Sequence, residues 1–134
     1  MTILDSFAEY LDSLGIATLG QDLFIGEAPS SKQVSNSIWW IIDTGGNNLI
    51  NLSTGEQVKN HRISIYHRGT NYQSVKENIH NAEELINSDG CTQLSGYETL
   101  DIEIASFPID NDIDAEDRKV GLLQINLKTY KENA

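Results

Sequence analysis

Cysteine occurs once in this chain of 134 residues, at Cys91, so an internal disulfide is excluded. One thiol beside three scattered histidines, His61, His67 and His80, also makes no zinc-ligand pattern. Proline occurs twice, at Pro29 and Pro108, each in a polar stretch that reads as an exposed loop. No apolar run approaches the ~20 residues that a bilayer span needs. The opening Met1-Thr2-Ile3-Leu4-Asp5 lacks the basic start of a signal peptide, and a cytoplasmic product is expected. Basic residues are scarce, nine against twenty acidic ones, for a net charge of −11. That balance argues against gripping nucleic acid, which takes clustered Lys and Arg. It suits a surface that lets DNA pass without adhering.

A hydrophobic share of 39% and a charged share of 22% are ordinary for a soluble globular chain, and residues 1–134 read as one domain. The organising stretch is 61–90. From His61 to Arg68, Ile63 and Ile65 alternate with Arg62, Ser64, Tyr66 and Arg68, the period of a strand with one side on a core. Gly69 turns the corner. Thr70 stands three residues before Gln73, the spacing of a capping box. Tyr72, Val75, Ile79, Ala82 and Ile86 then make one helical stripe, widened by Leu85, and Gly90 supplies a left-handed stop.

Around that unit the other elements follow in order. Residues 2–14 predict a helix capped by Thr2, with Leu4, Phe7, Ala8, Leu11 and Leu14 as its stripe. Leu23–Gly26 reads as a short buried strand and 27–36 as a loop. Ser37–Asp43 is apolar on both faces, as a central strand would be, and Trp39 and Trp40 must point opposite ways. One Trp belongs to the core; the other lies under the helices or at a subunit contact. Asn47–Asn60 is long for a bare loop, so it is a small projecting hairpin or a functional arm, whose Leu49, Ile50 and Leu52 suit a partner surface. Tyr97–Phe107 alternates with Leu100, Ile102 and Ile104 inward; Pro108–Asp117 is a loop; Val120–Tyr130 turns Leu123, Ile125 and Leu127 inward. The order α-β-β-β-α-β-β predicts an α+β fold, a mixed or mostly antiparallel sheet with two helices packed on one face.

Catalytic chemistry finds little purchase in this pattern. Asp110, Asp112 and Asp114 repeat the first ligand positions of a calcium loop, but Ala115 stands where that loop needs glycine and Gly121 where it needs glutamate. His61 and His67 share a strand face yet lie about 20 Å apart at ~3.3 Å per residue. Cys91 follows a helix end, where the negative dipole disfavours a thiolate. Nucleophile elbow, phosphate loop and dinucleotide fingerprint are all missing. Arg62 and Arg68, paired on the polar strand face, suit carboxylates across the sheet or on a neighbour. The chain reads as neither an enzyme nor a cofactor binder.

Taken together, these pieces resemble the tail terminator proteins of long-tailed bacteriophages, also known as minor capsid or minor tail proteins. The resemblance rests on Leu14-Gly15-Ile16 closing the first helix, Asp22-Leu23-Phe24-Ile25-Gly26 with Pro29 after it, and Asp43-Thr44-Gly45-Gly46 closing a strand. Arg68-Gly69 before Tyr72 and a last strand pair around an acidic loop complete it, over nearly the whole chain. His67 before Arg68 and the long 47–60 segment depart from the family's pattern. The resemblance implies a structural virion protein without chemistry. It would form a hexameric ring of itself, cap the head-proximal end of the tail tube, stop its polymerisation and join the head–tail connector or stopper protein. DNA would pass through the lumen without specific binding, and no membrane is involved. On this reading the ring, tube and neck contacts fall on 27–36, 45–60 and 108–117. The named residues are Glu27, Lys32, Leu49, Ile50, Leu52, Asp110, Asp112 and Asp114, together with Trp40, Arg62 and Arg68. The alternatives are another neck component, such as a stopper or head-completion protein, and a small cytoplasmic enzyme.

Overall fold

The strand that runs from Gln57 to Gly69 carries side chains that must be covered on both sides. Ile63 and Ile65 are fully buried on one face, while Ser64 and Arg68, on the other, are only 2% and 4% exposed. Such a strand belongs in the interior of a sheet. In the structure, a computed structural model describing residues 2–26, 37–45, 48–51, 57–69, 71–91, 94–111 and 119–131, it has strands on both sides. The elements are α1 (Ile3–Ser13), β1 (Leu23–Ile25), β2 (Ile38–Asp43), β3 (Asn48–Asn51), β4 (Gln57–Gly69), α2 (Tyr72–Asp89), β5 (Tyr97–Asn111) and β6 (Lys119–Lys131). The sheet runs β1-β2-β4-β6-β5, with β3 on the same edge of β4 as β2. Among the described strands β1 and β2 pair in parallel and the other pairs are antiparallel.

This is the α+β fold and element order read from the sequence, with the 47–60 segment resolved as the hairpin alternative: β3 turns back onto the first residues of β4. The strand read from His61 therefore begins earlier, at Gln57. Both helices pack on one face. Phe7, Tyr10 and Leu11 of α1 and Val75, Ile79, Ala82 and Ile86 of α2 join Trp39, Ile41, Ile63, Ile65, Leu123, Ile125 and Leu127 in one core. Helix α2 approaches β6 so closely that a Cβ on Gly121 would meet Ile79 Cγ1 at 2.8 Å and Val75 Cγ1 at 3.1 Å. Glycine at 121 is what lets that helix sit down on the sheet.

The helix termini follow local rules. Thr2 caps α1 in a full capping box: its hydroxyl accepts from the Asp5 N–H, and the Asp5 carboxylate accepts from the Thr2 N–H. That hydrogen bonding lowers the Asp5 pKa. For α2 the expected cap is corrected. Asn71 caps it, its Oδ1 accepting from the N–H groups of Gln73 (2.8 Å) and Ser74 (3.3 Å); Thr70 lies outside the described residues. Asn is as good a cap as Thr, so the two neighbouring positions competed. Gly90 closes the helix at φ 71, in the left-handed region.

Other departures have equally local causes. Tyr72 and Leu85, placed on the buried stripe by spacing, are 51% and 44% exposed, because the sheet covers only the central arc of the helix. Leu100, expected inward, is 49% exposed: the ladder slips by one residue between Thr99 and Asp101, and a slip of one turns a side chain to the other face. Pro108 sits inside β5 rather than in a loop. It is tolerated because β5 is an edge strand and the ladder is irregular between Phe107 and Asp110. No helix among the described residues is long and apolar enough to cross a membrane.

Candidate interaction face

Residues paired across a ladder lie on one side of the sheet. Phe24 pairs with Trp40, Trp40 with Tyr66, Tyr66 with Leu122, and Leu122 with Phe107. This row crosses all five strands of the main path on the side away from the helices. Its members are half-buried, except Phe107, which is exposed. Trp40 and Tyr66 stack with ring centroids 5.2 Å apart and planes within 6°, and the Arg68 guanidinium lies 5.7 Å from the centroid of the Trp40 ring. An Arg over an aromatic face is attracted by the ring quadrupole, which helps hold the indole in place. Of the two tryptophans, Trp39 is thus the core residue and Trp40 belongs to the open face.

Toward the other end of β4 and β6 the same face becomes polar. Arg62 donates from Nε to Asn126 Oδ1 at 3.3 Å, and Asn60, Arg62, Asp101, Glu103, Asn126 and Lys128 line a cleft of about 190 Å³. Asp101 is the register partner of Lys128, so opposite charges face one another across the ladder. Beyond the β5 edge lies a cleft of about 420 Å³ between β5 and α2, where Tyr72, Ile79, Phe107, Pro108 and Ile109 are joined by Lys76, His80, Glu83 and Ser106.

Of the residues picked out from the sequence, the structure brings Trp40, Arg62 and Arg68 together on this one face. Arg68 is buried, however, and serves Trp40. Leu49 and Ile50 lie on β3 and Asp110 pairs with Val120 near the end of β5, but their side chains are outside the described residues. Glu27, Lys32, Leu52, Asp112 and Asp114 lie outside them altogether. Sequence reasoning missed Phe24, Leu122 and Phe107. Alternation speaks for one strand at a time, and only strand order and register join these three into a row.

The titratable residues do not converge. On the helix side, His67 is 1% exposed and stacks on Trp39 at 4.1 Å. Its Nδ1 lies 3.1 Å from the Ile38 carbonyl oxygen, which can only accept, so Nδ1 carries the proton and Nε2 accepts from Asn78 Nδ2 at 3.0 Å. Burial pulls its pKa down to about 4. The residue that departs from the family pattern is thus a neutral link between β2, β4 and α2. His80 is exposed and pairs with Glu84 at 3.1 Å. Burial lowers the His61 pKa, and its ring meets Tyr97 edge-on at 6.3 Å. The Cys91 thiol is buried and pushed up to about 12, which removes the thiolate a nucleophile needs. Among the described residues no cluster of His, Cys, Asp and Glu could hold a metal ion.

The bacteriophage tail terminator family matches residues 10–131. This chain belongs to that family. Membership makes it a phage structural protein of the tail. No curated protein matches it in sequence. Its fold is similar to that of a chain in the virion of a native gene transfer agent particle. That likeness has a TM-score of 0.53 at 11% identity and covers 93% of each chain, and it bears on fold alone.

Proposed function

We infer that the protein works by assembly: copies close into a ring, with six as the expected number, on the head-proximal end of the tail tube. The ring halts tube polymerisation, joins the tail to the head–neck connector, and leaves an opening through which DNA passes. Membership of the tail terminator family across residues 10–131 carries this reading. A closed ring of identical subunits needs two different patches, one meeting the other on the next copy. The helix-free sheet face is one such patch, because its aromatic row has no other partner among the described residues. The segments 27–36, 45–60 and 108–117 supply further ring, tube or neck contacts. A chain at −11 lining a channel repels the DNA phosphates, which keeps the passage free of adhesion. The role requires no catalysis, in keeping with a protonated, buried Cys91 and histidines that do not meet.

Light scattering behind size exclusion tests this on the purified protein, alone and with its tail tube protein. A sixfold mass, or a monomer recruited as rings onto the ends of short tubes, is expected. A monomer that ignores the tube at high concentration overturns the terminator role. Binding to portal-side proteins alone assigns the chain instead to a stopper or head-completion role. Deletion of 47–58 should leave the fold and abolish assembly.

A further inference from the structure

On the helix side of the sheet, three parts of the chain meet around a pocket of about 270 Å³. Ile16 and Asp22 come from the stretch between α1 and β1, Trp39 from β2, and Asn78, Asn81 and Leu85 from α2. This volume lies just below the ~300–1,000 Å³ of sites for drug-sized ligands, so it suits a single side chain or a compound of that size. Among the described residues its lining holds one carboxylate, Asp22, and no basic side chain.

The buried His67 sets the polarity of this pocket, since it stacks on Trp39 and bonds to Asn78. Its Nδ1 proton goes to the Ile38 carbonyl oxygen, so Nε2 of the neutral ring can only accept. The Asn78 amide must then turn its NH2 group to the ring, which leaves Oδ1 as an acceptor held in one orientation. Asp22 is oriented in the same way: its Oδ1 accepts from the Thr18 N–H at 2.6 Å, and Oδ2 is left over. Two fixed acceptors, one of them charged, select a cationic donor. A guanidinium meets that demand better than an ammonium, because its planar fork offers several N–H donors at once and is weakly hydrated. We propose that this pocket binds a guanidinium group, with Asp22 Oδ2 and Asn78 Oδ1 accepting its N–H donors, Asn81 beside them and its aliphatic stem along Leu85. Such a stem covers apolar surface, which gives the 44% exposed Leu85 a partner. The group belongs either to an arginine of a neighbouring protein or to a free guanidino compound, and its assignment does not depend on the ring reading above.

Saturation-transfer NMR on the full chain tests this, because it is read from the ligand and serves for monomer and ring alike. N-acetyl-arginine amide should receive saturation from the protein, whereas N-acetyl-citrulline amide, similar in shape but neutral, should receive little. Asp22→Asn keeps an Oδ1 acceptor for Thr18 while removing the charge, and should weaken binding by roughly tenfold or more. Asn81→Lys sets a resident cation at an exposed helix position and should abolish binding. Circular dichroism melts confirm that both variants are folded. If Asn81→Lys also fails to join the tube protein or its own copies, the ligand is a neighbour's arginine; if it assembles normally, the ligand is a free guanidino compound. Equal binding of the two probes, or binding undiminished in both variants, overturns the site and leaves the terminator role standing.

Discussion

The two faces of one sheet are built to different specifications. On the helix side, Ile41, Ile63, Ile65, Leu123, Ile125 and Leu127 are fully buried aliphatics, closed over by two helices and ordered further by the His67–Asn78 link. On the other side the corresponding positions are Trp40, Tyr66 and Leu122, half-buried, and then Arg62, Asn126 and Lys128. The first face is a finished interior. The second keeps large side chains partly in water, where flat aromatics give wide contact area at small entropic cost on binding. Same strands, same ladder: the difference lies in what covers each side, and it separates stability from assembly.

Substitution should expose that division most sharply in the interior. Leu123→Ala empties a fully buried site of the core and should cost about 2–5 kcal/mol, lowering the melting temperature by roughly 10 °C. By contrast, Trp40→Ala should cost well under half of that in the monomer yet disrupt the ring, as read by scattering. Equal destabilisation from the two would erase the distinction between the faces. The approach of α2 comes next. Gly121→Ala places a methyl against Ile79 and Val75 and should destabilise by ~1–3 kcal/mol, measured by denaturant unfolding.

Acidification probes the polar link on the closed side. His67 is neutral in the fold down to about pH 4, whereas its unfolded counterpart takes a proton near 6.5. The unfolded state then binds more protons, so stability is fully present above about pH 6.5 and falls as pH drops toward 4. Over that window His67 should account for on the order of 3 kcal/mol. His67→Gln should flatten this part of the stability–pH curve, and an unchanged slope would show that the ring's environment has been misjudged. Smallest of all, Asn71→Ala removes the α2 cap and should cost ~1 kcal/mol with no effect on assembly.

Much of the fold was legible because local patterns coincide with tertiary roles. The box Thr2–Asp5, the stop at Gly90 and the inward trio Leu123, Ile125 and Leu127 all stand where periodicity put them. What misled were places where two local rules competed or a ladder slipped. Asn71 outcompeted Thr70 as cap, and the irregularity at Thr99–Asp101 turned Leu100 outward. For the candidate face, alternation found Trp40, Arg62 and Arg68 but treated each strand separately.

By itself, then, the sequence determined most of the secondary elements, the α+β class, the central stripe of each helix and the acidic charge, since these depend on residue spacing and composition. Only the tertiary structure decided that Phe24, Trp40, Tyr66, Leu122 and Phe107 form one row and that His67 spans sheet and helix. Both depend on strand order, register and the close approach of α2 at Gly121. Those are set by contacts between residues far apart in the chain, on which the local pattern of any one strand is silent.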